Sequence, residues 1–113
     1  MQDLIDSIRK FAEERDWEQF HSPKNLSMAL TVEAGELMEY MQWLTEEESR
    51  NLPPDKLAQV EDEIGDVMIY LFRIADQLDI NPLEAAQKKL VKNAGKYPVE
   101  NAKGNALKYT EFK

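Results

Sequence analysis

The chain has 113 residues, 22 of them acidic against 14 basic, a formal charge of −8 and no cysteine. The length suits one domain with a single core, and the missing cysteine excludes disulfides, zinc–thiolate sites and thiol catalysis. A pI near 4.7 also argues against a nucleic-acid partner, because such binders usually show a basic face.

Residues 1–10 alternate polar and apolar side chains, so neither a signal peptide nor a membrane span is expected there. The chain reads as soluble and cytoplasmic, with no membrane partner. A first helix is predicted over residues 3–15, where Leu4, Ile5, Ile8, Phe11 and Ala12 recur at helical spacing. A short aromatic link over 16–21 follows. Ser22 and Pro23 then have the pattern of an N-cap and a proline at the first helical position, opening a second helix that should reach about residue 44. Thr45 and Glu48 have the spacing of a capping box and predict a helical turn up to Leu52, before Pro53 and Pro54 break the chain.

The third helix, over about 55–78, carries the clearest pattern. Leu57, Val60, Ile64, Val67, Leu71, Ile74 and Leu78 alternate by threes and fours and read as its core stripe. Asn81 and Pro82 restart the chain, and a fourth helix should reach about residue 96. Residues 97–113, with Pro98 and Gly104, read as an extended C-terminal arm on a single domain spanning 1–113. The expected class is all-α, a four-helix bundle. Ile69, Met28, Val32 and Met38 fall outside the core stripes, leaving apolar surface that one layer of helices cannot cover. A homo-oligomer, tetramer or dimer, is therefore expected.

The second helix contains Glu33-Ala34-Gly35-Glu36 and the third Glu63-Ile64-Gly65-Asp66. Three-residue spacing puts both acids of each pair on one helix face. Glu33 falls within the stripe of Leu26, Leu30, Leu37, Met41 and Leu44; Glu36 lines up with Tyr40 and Trp43, and Asp66 with Tyr70. One such pair is usually a solvated charge row. Two pairs bordering one bundle interior would repel unless a cation joined them. Oxygen ligands without sulfur or imidazole suit Mg2+, with Mn2+ as a substitute. A di-iron site needs Glu-x-x-His pairs, and the single histidine, His21, lies outside both motifs. Each glycine costs roughly 1 kcal/mol against alanine inside a helix, which a close crossing of the two motifs would explain.

The order Glu-x-x-Glu, then Glu-x-x-Asp some tens of residues later, resembles the MazG-like all-α NTP pyrophosphatases. The segments Glu14 to Leu26, Glu33 to Trp43 and Glu63 to Leu71 are similar to the dCTP pyrophosphatase subgroup. So are Asn93, Lys96-Tyr97-Pro98 and Lys108-Tyr109-Thr110. Between Thr45 and Asp55 the connection is shorter than in larger relatives, so a lid or specificity contact that they supply there is not carried over to this chain.

The resemblance implies hydrolysis of a nucleoside triphosphate, dCTP or a modified dCTP, to the monophosphate and pyrophosphate. Glu33, Glu36, Glu63 and Asp66 would hold the metal, with Glu36 preferred to Glu33 as the general base. Trp17, Trp43 and Tyr70 would grip the base, with His21 and Asn25 adding polar contacts. Lys89, Asn93 and Lys96, on one face of the fourth helix, would meet the outer phosphates. Two alternatives stay open at this point. One is dUTP or another non-canonical nucleotide as the substrate, the other a non-catalytic helical scaffold.

Overall fold

The structure, a computed structural model, describes residues 1–112, and every regular element among them is helical. It divides into two compact units, Met1–Ile80 and a second that begins at Asn81.

The first unit holds α1 (Gln2–Glu14), α2 (Pro23–Glu39), α3 (Glu46–Arg50) and α4 (Pro54–Gln77), with a 3-10 turn at Glu18–Phe20. α1 ends where Asp16 takes a positive φ of 55°. The Asp16 and Trp17 amides donate back to the Glu13 and Ala12 carbonyls at 3.1 and 3.0 Å, a Schellman closure with aspartate in the usual glycine position. α4 closes the same way around Asp79, where the Ile80 amide reaches the Ala75 carbonyl at 2.8 Å. The caps read from sequence are present. The Ser22 hydroxyl accepts from the Asn25 amide, and Thr45 and Glu48 form a reciprocal capping box.

α4 packs on α2 and, less extensively, on α1. The α2 face turned inward is Leu26, Leu30, Glu33, Leu37 and Tyr40, all buried or half-buried. On α4 the corresponding row is Val60, Glu63, Val67, Tyr70 and Ile74. Glu33 meets Glu63, while Tyr40 and Lys56 line one cavity further along, so the two helices run antiparallel.

Three sequence expectations are corrected. α2 stops at Glu39, not near residue 44. Beyond it the Met41 and Leu44 amides turn to carbonyls three residues back, and Thr45 must be extended to cap α3. The predicted α4 stripe splits in two, for Leu57, Ile64, Leu71 and Leu78 are exposed in the single chain and only its other half packs inward. Gly35 and Gly65 do not mark a close crossing, because a Cβ at either would meet nothing within 4 Å.

The second unit is α5 (Pro82–Lys96), capped by the Asn81 side chain, followed by the short α6 (Val99–Ala102) and a 3-10 turn at Tyr109–Glu111. The expected arm is thus only partly extended. Tyr97 packs edge-on against Tyr109 and Phe112 at 6.0 and 5.6 Å, and Lys96 lies 4.9 Å over the Tyr109 ring.

α1 and α4 are tied by a two-pronged ion pair, with Arg9 Nε and Nη2 donating to Asp76 at 2.8 and 2.6 Å. Hydrogen bonding from Arg9 holds the Asp76 carboxyl below its ordinary pKa of 3.8. A depressed carboxylate contributes stability that is fully present above the unfolded pKa and is lost as pH falls through the folded one. That contribution should begin to fall below about pH 4 and shrink further as the solution becomes more acidic. Asp76 also faces the buried Arg73 at 3.6 Å. Asp76→Ala should therefore lower stability at pH 7 by about 1–3 kcal/mol, the range for stripping a partner from a buried polar group. Urea unfolding at pH 7 and pH 3 checks both statements, since the difference between variant and parent should shrink at the acid end.

Candidate active site

One carboxylate oxygen each from Glu33, Glu36 and Glu63 converges, all lying within 4.8 Å of one another. The helical register causes this. Glu33 and Glu36 are one turn apart on α2, and Glu63 stands opposite in the inward row of α4. Glu63 is 7% exposed. Its Oε1 and the Oε2 of Glu33 are buried without any hydrogen-bond donor. Among the described residues no lysine or arginine forms a salt bridge with any of the three.

The electrostatics follow from that crowding. Proton sharing with Glu63 raises the Glu33 pKa above its ordinary value, and burial and the charges of Glu63 and Asp66 add to the rise. Glu36 is raised as well, chiefly by the charge of Glu33. Orphaned, buried anionic oxygens are costly unless a cation satisfies them. The donor set is all oxygen, so the residues fit a hard divalent cation such as Mg2+ or Mn2+.

Asp66 is not part of this group of three. One turn beyond Glu63 along α4, it lines a separate pocket of about 240 Å³ with Phe11, Trp17, His21, Tyr70 and Arg73. Trp17 packs edge-on against Phe11 at 5.6 Å and against His21 at 6.2 Å. Burial first, and then the charges of Glu33 and Asp66, raise the Tyr70 phenol. Trp17, His21, Asp66 and Tyr70 are therefore brought together.

Trp43 is not with them. It was expected two turns from Glu36 on one continuous helix, but α2 has already ended, and the residue is 87% exposed. It lines a different cavity, of about 710 Å³, with Tyr40, Leu44, Leu52, Pro53 and Lys56. The Asn25 amide is engaged locally, with Nδ2 donating to the Phe20 carbonyl at 3.0 Å. Lys89, Asn93 and Lys96 lie along α5 in the second unit.

Sequence reading missed Arg73. It is 4% exposed and donates from Nε to His21 Nδ1 at 3.3 Å. The available signal was a lone basic residue within the apolar run Leu71-Phe72-Arg73-Ile74-Ala75. A charge placed there must find partners or go unfolded.

Antiparallel helices presenting unpaired acids to one point define an all-α protein with a candidate divalent-cation centre. The family model described as MazG-like matches residues 28–112. The chain is 40% identical to dCTP pyrophosphatase 1 of Mus musculus and 39% identical to that of Homo sapiens. Each alignment covers 99% of this chain and 67% of the relative. A crystal structure of a pyrophosphatase from Archaeoglobus fulgidus superposes with a TM-score of 0.82 at 40% identity, covering 87% of this chain and 92% of that one. The chain belongs to the MazG-like family. Its resemblance to the dCTP pyrophosphatases extends over nearly its whole length.

Proposed function

We propose that the chain is a divalent-metal-dependent nucleoside-triphosphate pyrophosphohydrolase acting on dCTP or a modified dCTP. The observation that carries this is the convergence of Glu33, Glu36 and Glu63, two of them with orphaned buried oxygens, in a chain so similar to dCTP pyrophosphatases.

Glu33, Glu36 and Glu63 would hold Mg2+, and Asp66 would join them as a fourth ligand. When bound, the ion neutralises phosphate charge and makes water a better nucleophile. The chain's own residues do the rest. One carboxylate accepts the proton of the attacking water; Glu36 is favoured because it is the most exposed of the three. Trp17 and Tyr70 flank a pocket suited to a flat base, and His21 supplies a polar contact. Lys89, Asn93 and Lys96, spaced by four and three on α5, are assigned to the outer phosphates and the leaving pyrophosphate. Asn25 acts indirectly, by bracing the turn that carries His21.

The single-domain reading of 1–113, a bundle of four main helices, belongs to this proposal. So does a homo-oligomer, dimer or tetramer. Leu57, Ile64, Met68, Leu71 and Leu78 make one apolar row along α4, each more than 40% exposed in the single chain. A second copy would cover such a row as an obligate interface does. A copy also brings its own Trp43, which would otherwise stand in solvent. Light scattering coupled to size exclusion at low micromolar concentration should give at least a dimer. A fully active monomer would defeat this part of the reading.

Substrate choice is tested by a panel of nucleoside triphosphates with pyrophosphate release as the readout. The highest kcat/KM should fall on dCTP or a 5-modified dCTP. A purine triphosphate as best substrate would refute the subgroup assignment and spare the family.

A further inference from the structure

Arg73 is an expensive residue to bury, and the proposed function gives it no part in holding metal, phosphate or base. Its charge is met by Asp76 at 3.6 Å and Glu18 at 3.9 Å, and Asp76 is itself held by Arg9. That leaves Nε to face His21 Nδ1 at 3.3 Å. A guanidinium has five donors, no acceptor and no accessible deprotonated form. The imidazole nitrogen facing it must therefore offer a lone pair. A neutral ring with a bare Nδ1 carries its hydrogen on Nε2.

Other contacts fix the ring's place. His21 closes the 3-10 turn Glu18–Phe20, and its amide donates to the Glu18 carbonyl. Asn25 clamps the preceding carbonyl, and Ser22 starts α2 immediately afterwards. Trp17 flanks the ring at 6.2 Å with its plane inclined by 60°. The ring lines the pocket shared by Trp17, Asp66 and Tyr70. Burial, with the charge of Arg73 added, also holds the imidazole below its ordinary pKa, against the pull of Glu18. A protonated ring would set two donors face to face.

We propose that Arg73 is a positioning residue, whose guanidinium locks His21 as the Nε2–H tautomer and so presents a fixed, neutral hydrogen-bond donor to an acceptor atom of the nucleotide base. The base-binding half of this statement rests on the nucleotide reading above; the tautomer does not. Cytosine and uracil both offer the O2 carbonyl as an acceptor, so a donor aimed there adds affinity for a pyrimidine without choosing between those two bases.

His21 is the only histidine, so one long-range proton–nitrogen correlation spectrum of the full-length, nucleotide-free protein at pH 7 reads its tautomer without assignment. The expected result is a protonated Nε2 and a bare Nδ1. In Arg73→Met the ring should relax toward the mixture of a free neutral imidazole, with a minor Nδ1–H population appearing that the parent lacks. Steady-state kinetics then test the role. His21→Phe should raise KM about tenfold, with kcat within about twofold of the parent, the scale of one lost hydrogen bond. His21→Gln, whose amide nitrogen reaches the Nε2 position, should recover most of that loss. If Arg73→Met fails to fold, the parent spectrum and the two His21 variants still decide. A parent ring protonated at Nδ1, an unchanged tautomer in Arg73→Met, or Gln no better than Phe would overturn the proposal. A correct tautomer in a protein that does not cleave nucleotides would instead fault the nucleotide reading.

Discussion

Glu63→Gln should lower turnover by at least about a hundredfold while leaving the fold intact. Glu63 is the most buried of the three converging acids, and its Oε1 has no donor to satisfy it. The amide keeps the shape but removes a charge, and it points N–H hydrogens or a weaker oxygen at the cation. The metal-free variant should be more stable than the parent at neutral pH, because relieving repulsion among close carboxylates favours the folded state. Glu33 and Glu36 have raised folded-state pKa values, so their contribution is most favourable below the ordinary carboxylate pKa of 4.5 and is lost as pH rises through the raised values. Metal-free parent protein should thus weaken on going from pH 5 to pH 7, and Glu63→Gln should weaken less. Thermal unfolding in chelator at both pH values measures this. Near-normal turnover in the variant would place the chemistry elsewhere.

Excess EDTA should abolish activity, and added Mg2+ or Mn2+ should restore it. The same ions should raise the thermal stability of the parent. A ligand at a hundred times its Kd stabilises the native state by about 2.7 kcal/mol, well within the range of a melting experiment. Glu63→Gln should lose most of that gain, which ties the effect to the cluster and not to general salt. Calcium is larger and tolerates more ligands, so it should stabilise without supporting comparable turnover. Full activity in chelator would remove the metal from the mechanism. Stabilisation equal in parent and variant would move the ion to another site. A non-catalytic scaffold would show neither the activity nor the cluster-dependent gain.

The local signals in the sequence were the most legible part of this protein. Ser22-Pro23, Thr45 with Glu48, and Asn81-Pro82 each announce a helix start, and each is observed within a residue or so. Caps are short-range hydrogen bonds, so neighbouring residues suffice to predict them. The end of α2 was harder, because no glycine or proline marks it. The need to place Thr45 in an extended cap shortens the helix, and Trp43 leaves the expected face as a result. The inward rows of α2 and α4 were half legible. Spacing identified apolar positions on α4 but could not say which half packs against α2, since both halves are equally hydrophobic. The two helical glycines were not legible, because a propensity cost in a helix does not by itself require a close neighbour, and the single chain provides none.

Within the site, Glu33, Glu36 and Glu63 were found by spacing alone, and the structure brings them together. Asp66 belongs to the same motif, but the helix turns it toward Trp17, His21 and Tyr70. Arg73 escaped notice because its meaning is tertiary. Its partners His21 and Glu18 lie on the turn between α1 and α2, far away in sequence. A salt-bridged arginine and an orphaned carboxylate look alike in a sequence; only the fold separates the satisfied charge from the unsatisfied one.

The central claim is that these carboxylates direct cleavage at the α-phosphorus of a deoxynucleoside triphosphate. Product analysis of dCTP incubated with the protein and Mg2+ tests it most directly, by resolving nucleotides and phosphates in one chromatogram. dCMP and pyrophosphate should appear in equal amounts from the first turnovers, with no dCDP intermediate. dCDP with orthophosphate as first products, or unchanged dCTP, would contradict it.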